Sequence, residues 1–315
     1  MIFIGAVLII LFAAFLIALY AYRIAFYNNN TQEDIHYIPN SEQYQRHAAA
    51  THELVDKMFA LNYEEVRITS ADGLALYGRY YHVEDGAPLQ IQMHGYRGNA
   101  YRDFCGGHYV ARKMGHNTLV VDQRAHGNSE GHTISFGIQE RMDCLQWTRY
   151  AVNRFGSEIP IFLVGVSMGA ATVLMASDLK LPENVAGIIA DCPYSSPKEI
   201  IIKVCGDMKL PGRLAYPFVV LAGLVFGGFR LWTSSAVESV KHAKTSILIL
   251  HGEDDRFVPC DMSRKIRDAN PGRVKLETFP DAGHALSCLE DPQRYEQAVR
   301  RFVFQCLENW SRHER

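Results

Sequence analysis

The sequence predicts an α/β protein, a mostly parallel sheet with helices on both faces, preceded by one apolar N-terminal helix. Three observations carry that reading. Beyond residue 88, short apolar runs alternate with stretches of helical periodicity, the mark of strand–helix–strand units. Residues 64–81 instead alternate apolar and polar around the Ala71-Asp72-Gly73 turn, as a β-hairpin does. And Ile2 to Tyr22 contains no charged residue; about 20 apolar residues, at about 1.5 Å rise each, cover a bilayer core.

Residues 1–27 are expected to form a single membrane anchor. Tyr20, Tyr22, Tyr27 and Arg23 stand where an interfacial belt would lie. A cleavable signal is disfavoured because the charged n-region is missing. A buried core helix is the rival reading, and such helices usually show a polar face. Arg23 is the nearby cation, which favours the cytoplasm for the C-terminal side and leaves the opposite orientation open. Asn28 to Asp34 reads as a polar linker. A helix with apolar positions Tyr44, Ala48, Leu54, Val55, Met58 and Phe59 is expected over 41–62, completing a 28–62 leading segment.

Residues 63–315 then form one domain. Strands are expected at 64–81 (the hairpin), 89–93, 118–121, 161–164, 185–190, 246–250 and 274–279. Helices are expected at 101–115, 138–155, 168–180, 261–270 and 291–310. Residues 195–240 interrupt the rhythm as an insertion without a strand. Within it, Ala215–Phe229 is strongly apolar but broken by Pro217, Gly223, Gly227 and Gly228, and is short for a membrane span. It reads as a helix packed on its own domain, with a cap over a pocket or a lipid-touching surface left open.

Composition sets limits on function. With 48% hydrophobic and 21% charged residues, the 315-residue chain is globular. A net charge of −2 gives no general grip on nucleic acid. Seven scattered cysteines without a CxxC pair argue against a disulfide framework or structural zinc, and for a reducing compartment. The thirteen histidines include no HExxH, and no G-x-G-x-x-G follows a strand, so neither a catalytic metal nor any cofactor is expected.

The sharpest chemical signal is Gly165-Val166-Ser167-Met168-Gly169, between a strand run and a helical stretch. That context is a nucleophile elbow, in which a strained turn presents the serine hydroxyl. A serine needs a base, and the base an orienting acid. His284, in Asp281-Ala282-Gly283-His284, is the candidate base, and Asp255 the candidate acid. Asp254 and Asp191 compete for the acid role. Acyl transfer also needs donors for the developing oxyanion. The N–H of Met168 and that of Tyr96, in the His94-Gly95-Tyr96-Arg97 loop, are the candidates. His94, Gly95, Arg97 and Tyr194 are expected to contact substrate, with Arg97 at the entrance. Tyr194, Tyr216, Phe218, Phe226, Phe229 and Trp232 suggest an apolar acyl or aryl pocket, or plain packing.

His94-Gly95, the Asp122–Gly131 loop, the 165–169 elbow, His251–Pro259 and Gly283-His284 resemble the serine-hydrolase branch of the α/β-hydrolase superfamily. The resemblance runs over about residues 60–310, in the style of Bem46-like and ABHD-type enzymes. It implies an eight-stranded sheet, a Ser167–Asp255–His284 triad and a cap inserted after the sixth strand, where 195–240 falls. Family members often have glycine where Ala125-His126 stands, which bears on pocket shape. The expected function is hydrolysis of a small-molecule carboxylic ester through an acyl-enzyme. Amide, peptide or thioester cleavage by the same triad is the alternative, and a non-catalytic binding protein a remote one. The anchor and apolar insertion suggest a lipid substrate and a membrane as partner.

Overall fold

The structure is a computed structural model that describes residues 2–29 and 34–313. Most of the expected polar linker therefore lies outside the described residues, as do residues 314–315. Helix α1 (Ile2–Ala25) is long and apolar, as expected. The single helix expected over 41–62 is two, α2 (Glu42–Gln45) and α3 (Ala48–Phe59). At the break, Arg46 donates to the Asp281 carbonyl at 2.7 Å, and His47 sits 2.9 Å from Glu290. Tertiary partners thus interrupt a locally helical pattern.

Strands β1 (Glu64–Thr69) and β2 (Ala75–Tyr81) form the hairpin. Then follow β3 (Leu89–Met93), α4 (Ala100–Lys113), β4 (Asn117–Asp122), α5 (Glu140–Phe155), β5 (Ile161–Val166) and α6 (Met168–Ala176). After β6 (Val185–Asp191), the 195–240 stretch folds as α7 (Pro197–Asp207), α8 (Gly212–Val225) and α9 (Ala236–Lys241). The chain closes with β7 (Ser246–Gly252), α10 (Asp261–Ala269), β8 (Val274–Phe279), α11 (Ser287–Glu290) and α12 (Pro292–His313). The helix expected over 168–180 ends four residues early. Ser177 turns its hydroxyl onto the Leu174 carbonyl there, at 2.7 Å, satisfying a group the helix end leaves free.

The eight strands make one sheet in the order β1-β2-β4-β3-β5-β6-β7-β8. Strand β2 runs opposite to the other seven. Strand residues alternate between two apolar layers, as the twofold period requires. Leu119, Val121 and Leu163 pack with Trp147 of α5 and Val173 of α6. Val120, Phe162 and Val164 pack with Phe104 of α4 and Phe302 of α12. Strand order reverses direction about β3, which lies between β4 and β5. Such a switch opens a crevice at the carboxyl ends of the strands, and the loop after β3 there faces the turn after β5.

A third apolar cluster covers those ends. It joins Met168, Tyr194 and Val258, each just beyond a strand, to Ile200 of α7, Val219 of α8 and Ala18 of α1. Phe26, just past α1, is fully buried and meets Phe136 and Phe229 edge-on at 5.7 and 5.1 Å. Burying such a side chain contributes about 1.5–3 kcal/mol. The C-terminal part of α1 is therefore packed on the domain, while Phe3, Ile4 and Leu8 to Phe12 are exposed.

The tightest joint is between α6 and β3. A Cβ at Gly169 would lie 1.8 Å from the Met93 carbonyl oxygen, and one at Gly165 would lie 2.2 Å from the Gly169 carbonyl oxygen. Both obstacles are backbone and cannot turn aside. Gly169→Ala is expected to cost about 3 kcal/mol and lower the melting temperature by several degrees, read by circular dichroism. An unchanged melting temperature would refute the close-approach reading.

Candidate active site

Strand β5 turns into α6 at Ser167, whose φ of 54° and ψ of −113° lie outside the regions open to most side chains. Such strain costs on the order of 1–3 kcal/mol. It is held by the Ser167 N–H donating to the Asp191 carbonyl at 2.8 Å and by the glycine contacts on either side. The turn points the Ser167 hydroxyl at His284, with Oγ 2.9 Å from Nε2. His284 Nδ1 lies 2.7 Å from Asp255 Oδ2. Asp255 Oδ1 accepts from the N–H groups of Phe257 and Val258, at 2.9 and 2.7 Å. The structure thus brings the three expected residues together in one chain of hydrogen bonds.

The competing acids lie elsewhere. Asp254 turns outward to Gln43, which donates at 2.6 Å, and to Arg256. Asp191 is buried at the end of β6, and burial pushes its carboxyl up to about 6. Among the described residues, no hydrogen bond joins it to His284.

Electrostatics follow from this packing. Burial alone would raise the Asp255 pKa, but His284 and His251 face the carboxylate and hold it well below the usual range. Burial alone would lower the His284 pKa, and the Asp255 carboxylate more than offsets it, leaving it above the usual histidine value. His251 was not expected at the site. It is fully buried, with Nε2 3.2 Å from Asp255 Oδ2 and 2.9 Å from the Val258 carbonyl, and it braces the acid loop. The Cys192 sulfur, also unforeseen, is 4.0 Å from His284 Nε2. Cys192, Asp255 and His284 are the group of possible metal ligands found among the described residues. Both ring nitrogens of His284 are already engaged by Asp255 and Ser167.

Of residues 95–98 in the loop after β3, one N–H group has no protein partner among the described residues. The Gly95 N–H donates to Asp103 Oδ2 at 2.8 Å, that of Arg97 to His126 Nε2 at 3.0 Å, and that of Gly98 to the Gly95 carbonyl at 3.1 Å. Only the Tyr96 N–H of this run has no partner among the described residues. Met168 holds the first position of α6, where a helix leaves its N–H groups unpaired. Gly95 borders Ser167, since a Cβ there would meet Ser167 Cβ at 3.4 Å.

Two expected substrate contacts are corrected. His94 is buried, with Nδ1 2.8 Å from the Gly95 carbonyl and Nε2 accepting from the Gln123 N–H at 3.0 Å. It ties the β3 loop to the β4 loop and has no free nitrogen for substrate. Arg97 does not guard the entrance with a free guanidinium. It donates to the carbonyls of Ile24 and Tyr27 at 2.8 and 2.9 Å, closing the C-terminal end of α1, where a cation also suits the helix dipole. The Ala125-His126 departure has its own explanation. Ala125 has a φ of 61°, a conformation in which glycine is unstrained. His126 donates from Nδ1 to the Arg124 carbonyl and accepts the Arg97 N–H on Nε2. Burial pushes its pKa down to about 3, which keeps that accepting nitrogen bare.

A cavity of about 390 Å³ opens beside Ser167, lined mostly by apolar side chains of α1, α7 and α8 together with Tyr96, Phe136 and Tyr194. The buried Tyr194 hydroxyl has no partner within the described residues. The volume suits a small ligand.

A sequence model of the alpha/beta hydrolase family matches residues 93–298. The chain is 24% identical over 285 residues to the uncharacterized protein YqkD of Bacillus subtilis, covering 90% of each. It is 28% identical over 238 residues to the lysophosphatidylserine lipase ABHD12 of Bos taurus, covering 69% of this chain and 56% of that protein. The match thus spans little more than half of that relative. The Pyrococcus furiosus esterase Pf2001 shares the fold with a TM-score of 0.66 at 21% identity, over 89% of this chain and 98% of that one. Sheet order, elbow and family match coincide, and the chain belongs to the alpha/beta hydrolase family.

Proposed function

We propose that this hydrolase is a serine esterase, cleaving a carboxylic ester of an apolar acyl or aryl group through a covalent acyl-enzyme at a membrane surface. The observation that carries the reading is an unbroken Ser167–His284–Asp255 hydrogen-bond chain opening onto an apolar cavity. The acyl group enters the cavity and its carbonyl oxygen turns to the N–H groups of Tyr96 and Met168. Ser167 Oγ attacks the carbonyl carbon while His284 Nε2 takes the hydroxyl proton, and Asp255 steadies the imidazolium. Collapse breaks the ester C–O bond, and His284 returns the proton to the leaving alkoxide. Water then gives a proton to His284 as its oxygen bonds the acyl carbon; collapse breaks the bond to Ser167 Oγ, His284 returns the proton to Oγ, and the acid leaves. The two donors supply several kcal/mol by meeting the charge that develops on the oxygen.

Helix α1 spans the bilayer in this reading, with the domain on the cytoplasmic side of Arg23. A lipid ester fits the apolar cavity and the activity named for the ABHD12 relative.

A fluorophosphonate probe is expected to label the wild type and not Ser167→Ala, whose esterase kcat should fall about 10³-fold or more. Equal labelling of the two would overturn the proposal. His284 must be neutral to act as base, so activity rises with pH through its pKa. The acid limb of kcat/KM is expected above the ordinary histidine value of about 6.5. Asp255→Asn removes the charge that raises it and should shift that limb downward while lowering kcat. A pH–rate profile checks both, and a limb unmoved by the substitution would exclude Asp255 as the partner.

A further inference from the structure

We infer that the last turns of α1 form a wall of the acyl-binding cavity and select which acyl chains enter it, so that the membrane helix is itself part of the substrate site. This rests on the serine-esterase reading of Ser167. Ile17, Tyr20 and Ile24 of α1 line the cavity that contains Ser167, across from Ile201 of α7 and Val219 of α8. Their spacing of three and four residues puts them on one face of the helix. They are half-buried or exposed at the rim, where an entering chain first meets protein.

The wall is fixed rather than tethered. On the neighbouring face, Ala18 is buried and packs with Val219 and Ala222 of α8. The Tyr22 hydroxyl lies 2.8 Å from Thr133 Oγ1, and the Asn28 side chain donates to the Ala125 carbonyl at 2.7 Å. The oxyanion loop itself grips the helix end. The Tyr96 hydroxyl donates to the Ala25 carbonyl at 3.0 Å, beside the Arg97 contacts to Ile24 and Tyr27. One residue, Tyr96, therefore lines the cavity with Ser167 and gives its phenol to α1. An anchor that only held the domain at a membrane would need none of these contacts with the site.

The test uses the full-length protein in detergent micelles, with p-nitrophenyl acetate and p-nitrophenyl octanoate as substrates. Ile17→Trp fills the wall and is expected to lower the octanoate-to-acetate ratio of kcat/KM about tenfold. Ile24→Ala widens it and should raise that ratio. Leu11→Trp, at an exposed position of α1 away from the cavity, should leave the ratio at the wild-type value. Fluorophosphonate labelling of Ser167 reports that each variant keeps a folded site, and Ile24→Ala decides the matter if Ile17→Trp does not label. Ratios for Ile17→Trp and Ile24→Ala equal to wild type, with labelling intact, would overturn the inference. A shift in Leu11→Trp as large as in Ile17→Trp would overturn it too. Failure of the wild type to label would instead defeat the esterase reading beneath it.

Discussion

The close approach of α6 to the end of β3 is the constraint on which the site depends. Two strands side by side bring their following loops together, but only to within the thickness of a side chain. At Gly169 even one Cβ would strike the Met93 carbonyl. Without it, the first turn of α6 settles against the β3 loop, and Ser167 lies beside Gly95 of that loop. The left-handed backbone of Ser167 is the local cost of that placement, and dense packing above and below the turn is what holds it.

A second set of interactions keeps the β3 loop in place. Its hydrogen-bonding capacity is assigned almost completely to neighbours: Gly95 to Asp103, Arg97 to His126, and His94 to Gln123. The β4 loop that supplies His126 is itself anchored deep in the protein. Arg124 forks onto Asp143 at 2.6 and 2.7 Å and reaches Asp72 of the hairpin turn at 2.9 and 3.0 Å. Arg79 holds Asp122 at 2.8 and 3.2 Å. Buried pairs of this kind add little net stability, but losing one partner leaves a charge in a dry interior. Their role here is register. They set where the loop lies, and the loop decides which N–H remains free.

Much of this was legible in the sequence. The six strands after residue 88 fall within two residues of their apolar runs, because a parallel sheet covered on both faces demands continuous apolar stretches. The elbow was legible because its glycines answer a steric demand that sequence records directly. What escaped reading depends on contacts with backbone. Arg97 and His94 look like polar residues beside a pocket, but their partners are carbonyls and an N–H group, which every residue carries and no pattern marks. His251, likewise, bonds a carbonyl seven residues on and a carboxylate four residues on. Helix α1 is apolar on every side, so its sequence held no clue to which face meets protein.

That packed face has a mechanical consequence. The last turns of α1 are packed on the domain from Ala18 onward, so no flexible segment separates the helix from the domain. For α1 to cross a bilayer as proposed, the domain cannot stand off on a stalk. It would lie close against the headgroup layer, with the exposed Leu214, Leu224 and Val225 of α8 near lipid. Catalysis would then obey two-dimensional kinetics, its rate governed by the mole fraction of substrate in the leaflet and falling under surface dilution even when the bulk concentration is constant.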